Sequence, residues 1–177
     1  MYKPKSPYAS LAIDAIMAIV NNQDIEVIKS RKIPEEFDKH LACFVSIHLK
    51  DGSLRGCIGT IEPREENLHY EIISNAIAAS TRDSRFLPIS KSELENLEVS
   101  VDILSKPFLI EDTKQLNPTK FGIIVTDDAF AKGVLLPDID GVETIEKQIS
   151  IAKRKAGLSD YKLDKLKIYA FTSTRYH

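Results

Sequence analysis

Leu54-Arg55-Gly56-Cys57-Ile58-Gly59-Thr60 sets a thiol between two glycines, with an arginine two positions upstream. The thiolate is the nucleophilic form of cysteine, and a neighbouring cation favours it. Two glycines inside a strand cost packing and backbone entropy, so such a pair marks a bulge or a close approach by a ligand or another stretch of chain. The segment follows Asp51-Gly52, a strong hairpin signal after the alternating run from Leu41 to Leu49.

The register of that hairpin decides what meets Cys57. With Asp51-Gly52 as a two-residue turn, Leu49 faces Leu54, His48 faces Arg55 and Ser46 faces Cys57. Cys43, Val45, Ile47 and Leu49 then share an apolar face with Leu54, Gly56 and Ile58. Phe44, Ser46 and His48 share the other with Arg55, Cys57 and Gly59. A three-residue turn with a glycine bulge would shift the pairing by one and mix Arg55 and Cys57 into the aliphatic face. A one-residue slip exchanges core for surface, so the cleaner segregation is expected. Cys57 is then a candidate nucleophile, with Ser46 opposite and His48 diagonal to it as a candidate base. The same residues also fit a cysteine that lines a site without covalent chemistry, or a small buried hydrophobe beside glycines that admit a helix.

A second polar cluster, Thr81-Arg82-Asp83-Ser84-Arg85-Phe86, follows a helical pattern. Its arginines could hold a carboxylate or phosphate through paired donors. They could equally neutralise helix-end carbonyls or pair with Asp83. The candidate binding residues are therefore Arg55, Gly56, Gly59, His48, Ser46, Arg82, Asp83 and Arg85. A cysteine hydrolase would also need a group to orient its base, and Asp102 is the one carboxylate to nominate. His40, His48, His69 and His177 have no metal-ligand spacing with each other or with Cys43 and Cys57, so neither a metal nor a cofactor is expected.

The elements that must position these residues are legible in outline. Ser6-Pro7 reads as an N-cap and first turn, with Leu11, Ala12, Ala15, Ile16 and Ile19 at helical spacing to about Val20. Residues 21–39 read as a long connection with one short helical turn. Asn67 to Ser80 is a second amphipathic helix, and Ser90-Lys91-Ser92-Glu93 is a capping box. Leu97, Val99, Val101 and Ile103 alternate with polar residues, as in a strand with one wet face. Phe121–Thr126 and Gly133–Leu136 read as strands, Val142–Ala156 as a helix stopped by Gly157, and Leu166–Thr172 as a closing strand. Strands do not alternate regularly with crossover helices, so the expected class is α+β with a mainly antiparallel sheet flanked by helices.

The chain has 177 residues, 43% hydrophobic and 28% charged, with a net charge of −2. One core, divided between two lobes at most, fits that length. With a pI near 6.1 no global field draws it to nucleic acid or an anionic membrane, and there is no Trp and no aromatic-plus-basic stripe. The start lacks the apolar run of a signal peptide, and no span suits a membrane. Two cysteines fit reduced thiols in a cytoplasm.

Taken in order, Arg55-Gly56-Cys57-Ile58-Gly59-Thr60, Asn75-Ala76, Thr81 to Phe86, Gly133-Val134-Leu135-Leu136-Pro137, Gln148 and Lys155-Ala156-Gly157 resemble the AMME-syndrome candidate-region protein family, whose prokaryotic domain is called AmmeMemoRadiSam system protein A. The resemblance runs from about Pro7 to the C-terminus. It implies a single α+β domain over residues 1–177, with a larger and a smaller lobe and a cleft beside the motif. It further implies company with a Memo-type protein and a radical S-adenosylmethionine enzyme, and no agreed reaction. The chain departs from many relatives at Asp127–Lys132, where they carry arginines. The reading that follows is a cytoplasmic accessory or enzymatic component that binds a small anion or a partner protein beside the motif. A regulatory module contacting nucleic acid or protein is the alternative.

Overall fold

A computed structural model describes residues 4–177. Among them, four α-helices, α1 (Pro7–Val20), α2 (Glu26–Lys29), α3 (Leu68–Thr81) and α4 (Ile145–Lys155), accompany eight strands. The strands are β1 (Cys43–Leu49), β2 (Leu54–Gly59), β3 (Leu97–Leu104), β4 (Phe108–Leu109), β5 (Gly122–Thr126), β6 (Lys132–Leu135), β7 (Lys167–Phe171) and β8 (Ser173–Tyr176). The order β2-β1-β3-β8 makes one four-stranded sheet and β4-β7-β5-β6 a second. The register is antiparallel for β1 against both β2 and β3, and for β7 against β4 and β5, as well as for β5 against β6. The chain divides into two compact units, one ending at Leu104 and completed by Thr174–His177, the other Ser105–Ser173. None of the described helices is long and apolar enough to cross a membrane.

In the first unit the Ser6 hydroxyl accepts the Ala9 N–H at 3.2 Å and starts α1 as expected. Alanines at 9, 12, 15 and 18 let α1 bury more than one stripe, Ile13 included, while Ile19 is only half-buried. Asn67 caps α3, which buries Leu68, Ile72, Ile73 and Ala76, with Ile77 half-buried. The connection between α1 and β1 holds two short helical turns rather than one, α2 and a 3-10 turn at Glu35–Phe37. β3 lacks the expected wet face: Ser100 and Asp102 are buried and Glu98 alone is exposed. β4 and β8 carry no signal in the sequence pattern, since two- and four-residue strands are too short to show a period.

The hairpin uses both of the competing registers. Near the tip Leu49 and Ser53 pair, and Gly52 takes the left-handed φ of +84° that a three-residue turn requires. A bulge between Ile47 and His48 then restores the expected pairing of Ile47 with Gly56, Ser46 with Cys57 and Val45 with Ile58. Arg55 is the extra residue. His48 consequently meets Leu54, not Arg55, and Leu54 leaves the core for 38% exposure. Asp51-Gly52 admits either turn length, and only the bulge reconciles a glycine turn with an apolar face on Val45, Ile47 and Ile58.

In the second unit α4 lies on β5 and β6 around Ile123, Val125, Leu135, Ile149 and Ala152. Gly133 makes that approach possible, because a Cβ there would sit 1.9 Å from the Ala152 carbonyl oxygen. Gln148, wholly buried, donates from Nε2 to the Phe121 carbonyl at 2.7 Å and ties the helix to the start of β5. Gly133 and Gln148, both motif residues, thus serve this packing.

Candidate functional site

β2 is an edge strand, and the loop after α3 closes its edge. The Asp83 carboxylate accepts the Cys57 N–H at 2.9 Å, and Arg85 Nη2 donates to the Cys57 carbonyl at 3.3 Å. Arg85 also grips Asp83 through Nε at 3.0 Å and Nη2 at 2.7 Å. Two side chains thereby do for β2 what a further strand would, and cover an edge otherwise open to pairing. Asp83 is 6% exposed, and its carboxyl lies well below the usual range, first because of Arg85 and then the Cys57 N–H.

Arg55, thrown sideways by the bulge, turns to other partners. Its Nε meets Glu93 Oε1 at 2.6 Å and its Nη2 donates to the Leu87 carbonyl at 2.9 Å. Glu93 also accepts the Ser90 N–H in the expected capping box, so one carboxylate caps a 3-10 turn and holds the arginine. The Arg55 contact brings the Glu93 pKa down to about 2. The Phe86 ring lies within cation–π reach of both Arg55 and Arg85, at 5.7 and 5.5 Å. Leu87 beside it is 83% exposed.

The Cys57 sulfur, half-buried, meets Ser46 Oγ at 3.3 Å. No imidazole or carboxylate among the described residues hydrogen-bonds to it. The cation near it is Arg85 rather than the Arg55 expected from the sequence. His48 is half-buried between Leu54 and Glu98 on the flanking strands, and burial followed by Arg175 holds its pKa below the ordinary value. Asp102 is engaged by Arg175 Nε at 3.0 and 3.2 Å. Cys57, His48 and Asp102 therefore do not form a relay. Cys43 lies in the core, where burial pushes its thiol up to about 12, and both cysteines are free.

Both motif glycines answer to packing. A Cβ on Gly56 would come within 2.4 Å of the Ala79 carbonyl oxygen on α3, and one on Gly59 within 2.3 Å of the Phe44 ring. Thr60 and Asn75, two more motif residues, meet a group the sequence did not flag. Glu71 is a 1%-exposed carboxylate that accepts from Thr60 Oγ1, from the Arg64 and Glu65 N–H groups at 2.8 Å each, and from Asn75 Nδ2 at 3.3 Å. Asn75 further donates to the Cys43 carbonyl at 3.1 Å. Glu71 was legible only as a glutamate one turn before an asparagine within an apolar helix pattern.

Arg82 stands apart from this cluster. It lines a groove of about 490 Å³ with Lys29, Tyr70, Ser74 and two carboxylates, Glu26 (paired with Lys29) and Glu65, and its guanidinium has no partner among the described residues. At the departure before Gly133, Asp127 accepts the N–H groups of Ala129, Phe130 and Ala131 and Asp128 pairs with Lys167, so this loop is acidic and self-satisfied. Among the described residues no group of three His, Cys, Asp or Glu could hold a metal.

A family model described as AMMECR1 matches residues 9–176. A Thermotoga maritima protein is 46% identical over 171 residues, spanning 96% of this chain and 97% of its own length. A Clostridium acetobutylicum protein is 40% identical over 93% of this chain, which spans only 35% of that longer protein. The crystal structure of an uncharacterised Pyrococcus horikoshii protein superposes with a TM-score of 0.81 at 28% identity, over 95% of this chain and 88% of that one. The chain belongs to the AMMECR1 family.

Proposed function

We propose that this AMMECR1-family protein is a cytoplasmic accessory component that recognises a partner protein through the β2 edge and the loop from Asp83 to Leu87. The observation that carries the reading is the internal neutralisation of Arg55 by Glu93 and of Arg85 by Asp83 around Phe86, with Leu87 left in solvent. Arginines already spent on carboxylates give little to a small anion. Phe and Arg are among the residues enriched at protein interfaces, and Leu87 adds an apolar side chain that nothing in the fold covers. Cys57, Ser46, Gly56 and Gly59 are then the framework of that surface, and His48 borders it.

The Memo-type protein and the radical S-adenosylmethionine enzyme are the partners to test. A domain that occupies about a third of its Clostridium relative is consistent with work alongside other domains. A small anion is the second reading at Arg82 and not at the thiol, because the Arg82 guanidinium has no partner among the described residues, and such an anion would have to sit away from Glu26 and Glu65 in the same groove. The test is co-purification of each tagged partner with wild type and with Leu87→Glu. Capture by wild type and its loss in Leu87→Glu support the reading, and equal capture by both overturns it.

A further inference from the structure

We infer that the second unit carries a separate binding site for a small amphipathic carboxylate, in the pocket that α4 forms with Thr113 and with the segment after the helix. The pocket holds about 370 Å³, towards the lower end of the roughly 300–1,000 Å³ of small-molecule sites. Ile145 and Ile149, one turn apart, make its floor, and Leu163 makes an apolar wall that is 42% exposed. Lys153 and Arg154 stand at one end, and Glu146 stands at the other, about 12 Å away along the helix axis.

The charges fix the orientation of an occupant. Lys153 Nζ gives one proton to the Tyr161 carbonyl at 2.7 Å and keeps two for a ligand. The Arg154 guanidinium has no partner among the described residues, and its planar fork matches a carboxylate. The helix-end carbonyls of Ala152, Lys153 and Arg154 are taken by the N–H groups of Ala156, Leu158 and Gly157, and the negative end of the helix dipole is offset by three cations in the last turn, Lys153, Arg154 and Lys155. Glu146 repels a carboxylate from the far end. An anionic head therefore sits at Lys153 and Arg154, with its apolar tail over Ile149 and Ile145.

Local backbone bonds shape the wall without any help from a ligand. Gly157 takes a φ of +72°, Leu158 is buried, Tyr161 N–H bonds to the Leu158 carbonyl, and Lys165 N–H to that of Lys162. A preformed pocket avoids the ordering cost of binding. This site involves none of the residues of the β2 edge and stands or falls independently of the partner reading.

The test is a titration of the full-length, nitrogen-15-labelled protein with sodium octanoate, followed by amide chemical shifts. Shifts centred on α4 and residues 157–163 are expected, as is at least a tenfold weaker affinity in Arg154→Glu and in Leu163→Glu. Both substituted residues are exposed, so neither variant strains the fold. Octylammonium should bind at least tenfold more weakly than octanoate. Shifts elsewhere or none at all, unchanged affinity in both variants, or equal binding of octylammonium would overturn the proposal.

Discussion

Arg55, Glu93, Asp83 and Arg85 decide how the motif is to be understood, because each arginine is charge-balanced within the fold. Both carboxyls titrate lower in the folded chain than in the unfolded one, so their contribution to stability is complete above about pH 4.5 and is lost as the pH falls towards 2. Glu93→Gln should therefore lower stability at pH 7 and flatten the acid limb of an unfolding profile between pH 4.5 and 2. A wild-type slope across that window in Glu93→Gln would show that the Arg55 pair does not persist in solution. The thiols make a second residue-scale prediction. Iodoacetamide should label the half-buried Cys57 of the native protein and spare Cys43, which has no exposure and a thiol pushed up to about 12. Mass spectrometry after brief labelling reads this, and early modification of Cys43 would contradict it.

At the scale of elements, the seam between α3 and β2 positions the candidate surface. Gly56 admits the Ala79 carbonyl at a distance no side chain tolerates, so Gly56→Ala should cost about 1–3 kcal/mol in denaturant unfolding. Ile72, fully buried on the same helix, should cost about 2–5 kcal/mol as Ile72→Ala. A loss below about 0.5 kcal/mol in either variant would mean that the seam is looser than described. These elements were largely legible, because Ser6, Asn67 and the Ser90 capping box announce helix starts and the apolar periods are long. The bulge at Arg55 was not, since Asp51-Gly52 allows two turn lengths and nothing local chooses between them. The burial of Ser100 and Asp102 also escaped alternation, which reports side-chain polarity and not what covers a face. Of the candidate site, the pairing of Ser46 with Cys57 and the closeness of backbone at Gly56 could be read directly. Glu93 could be read only as a cap, because its bond to Arg55 joins residues far apart in the chain.

For the molecule as a whole, the family motif separates into packing and presentation. Gly56, Gly59, Gly133, Asn75 and Gln148 allow close contacts or satisfy buried groups. Arg85 and Phe86, with Leu87 beside them, are what remains at the surface of the β2 edge, while the Arg55 side chain, 13% exposed, braces them from beneath. We propose that this edge acts by recognition and not by thiol chemistry. The most direct test is the metabolite profile of a deletion strain complemented with wild type, Cys57→Ser or Leu87→Glu, with variant protein levels matched by immunoblot. Cys57→Ser should restore the wild-type profile and Leu87→Glu should not. Restoration by Leu87→Glu together with failure of Cys57→Ser would contradict it.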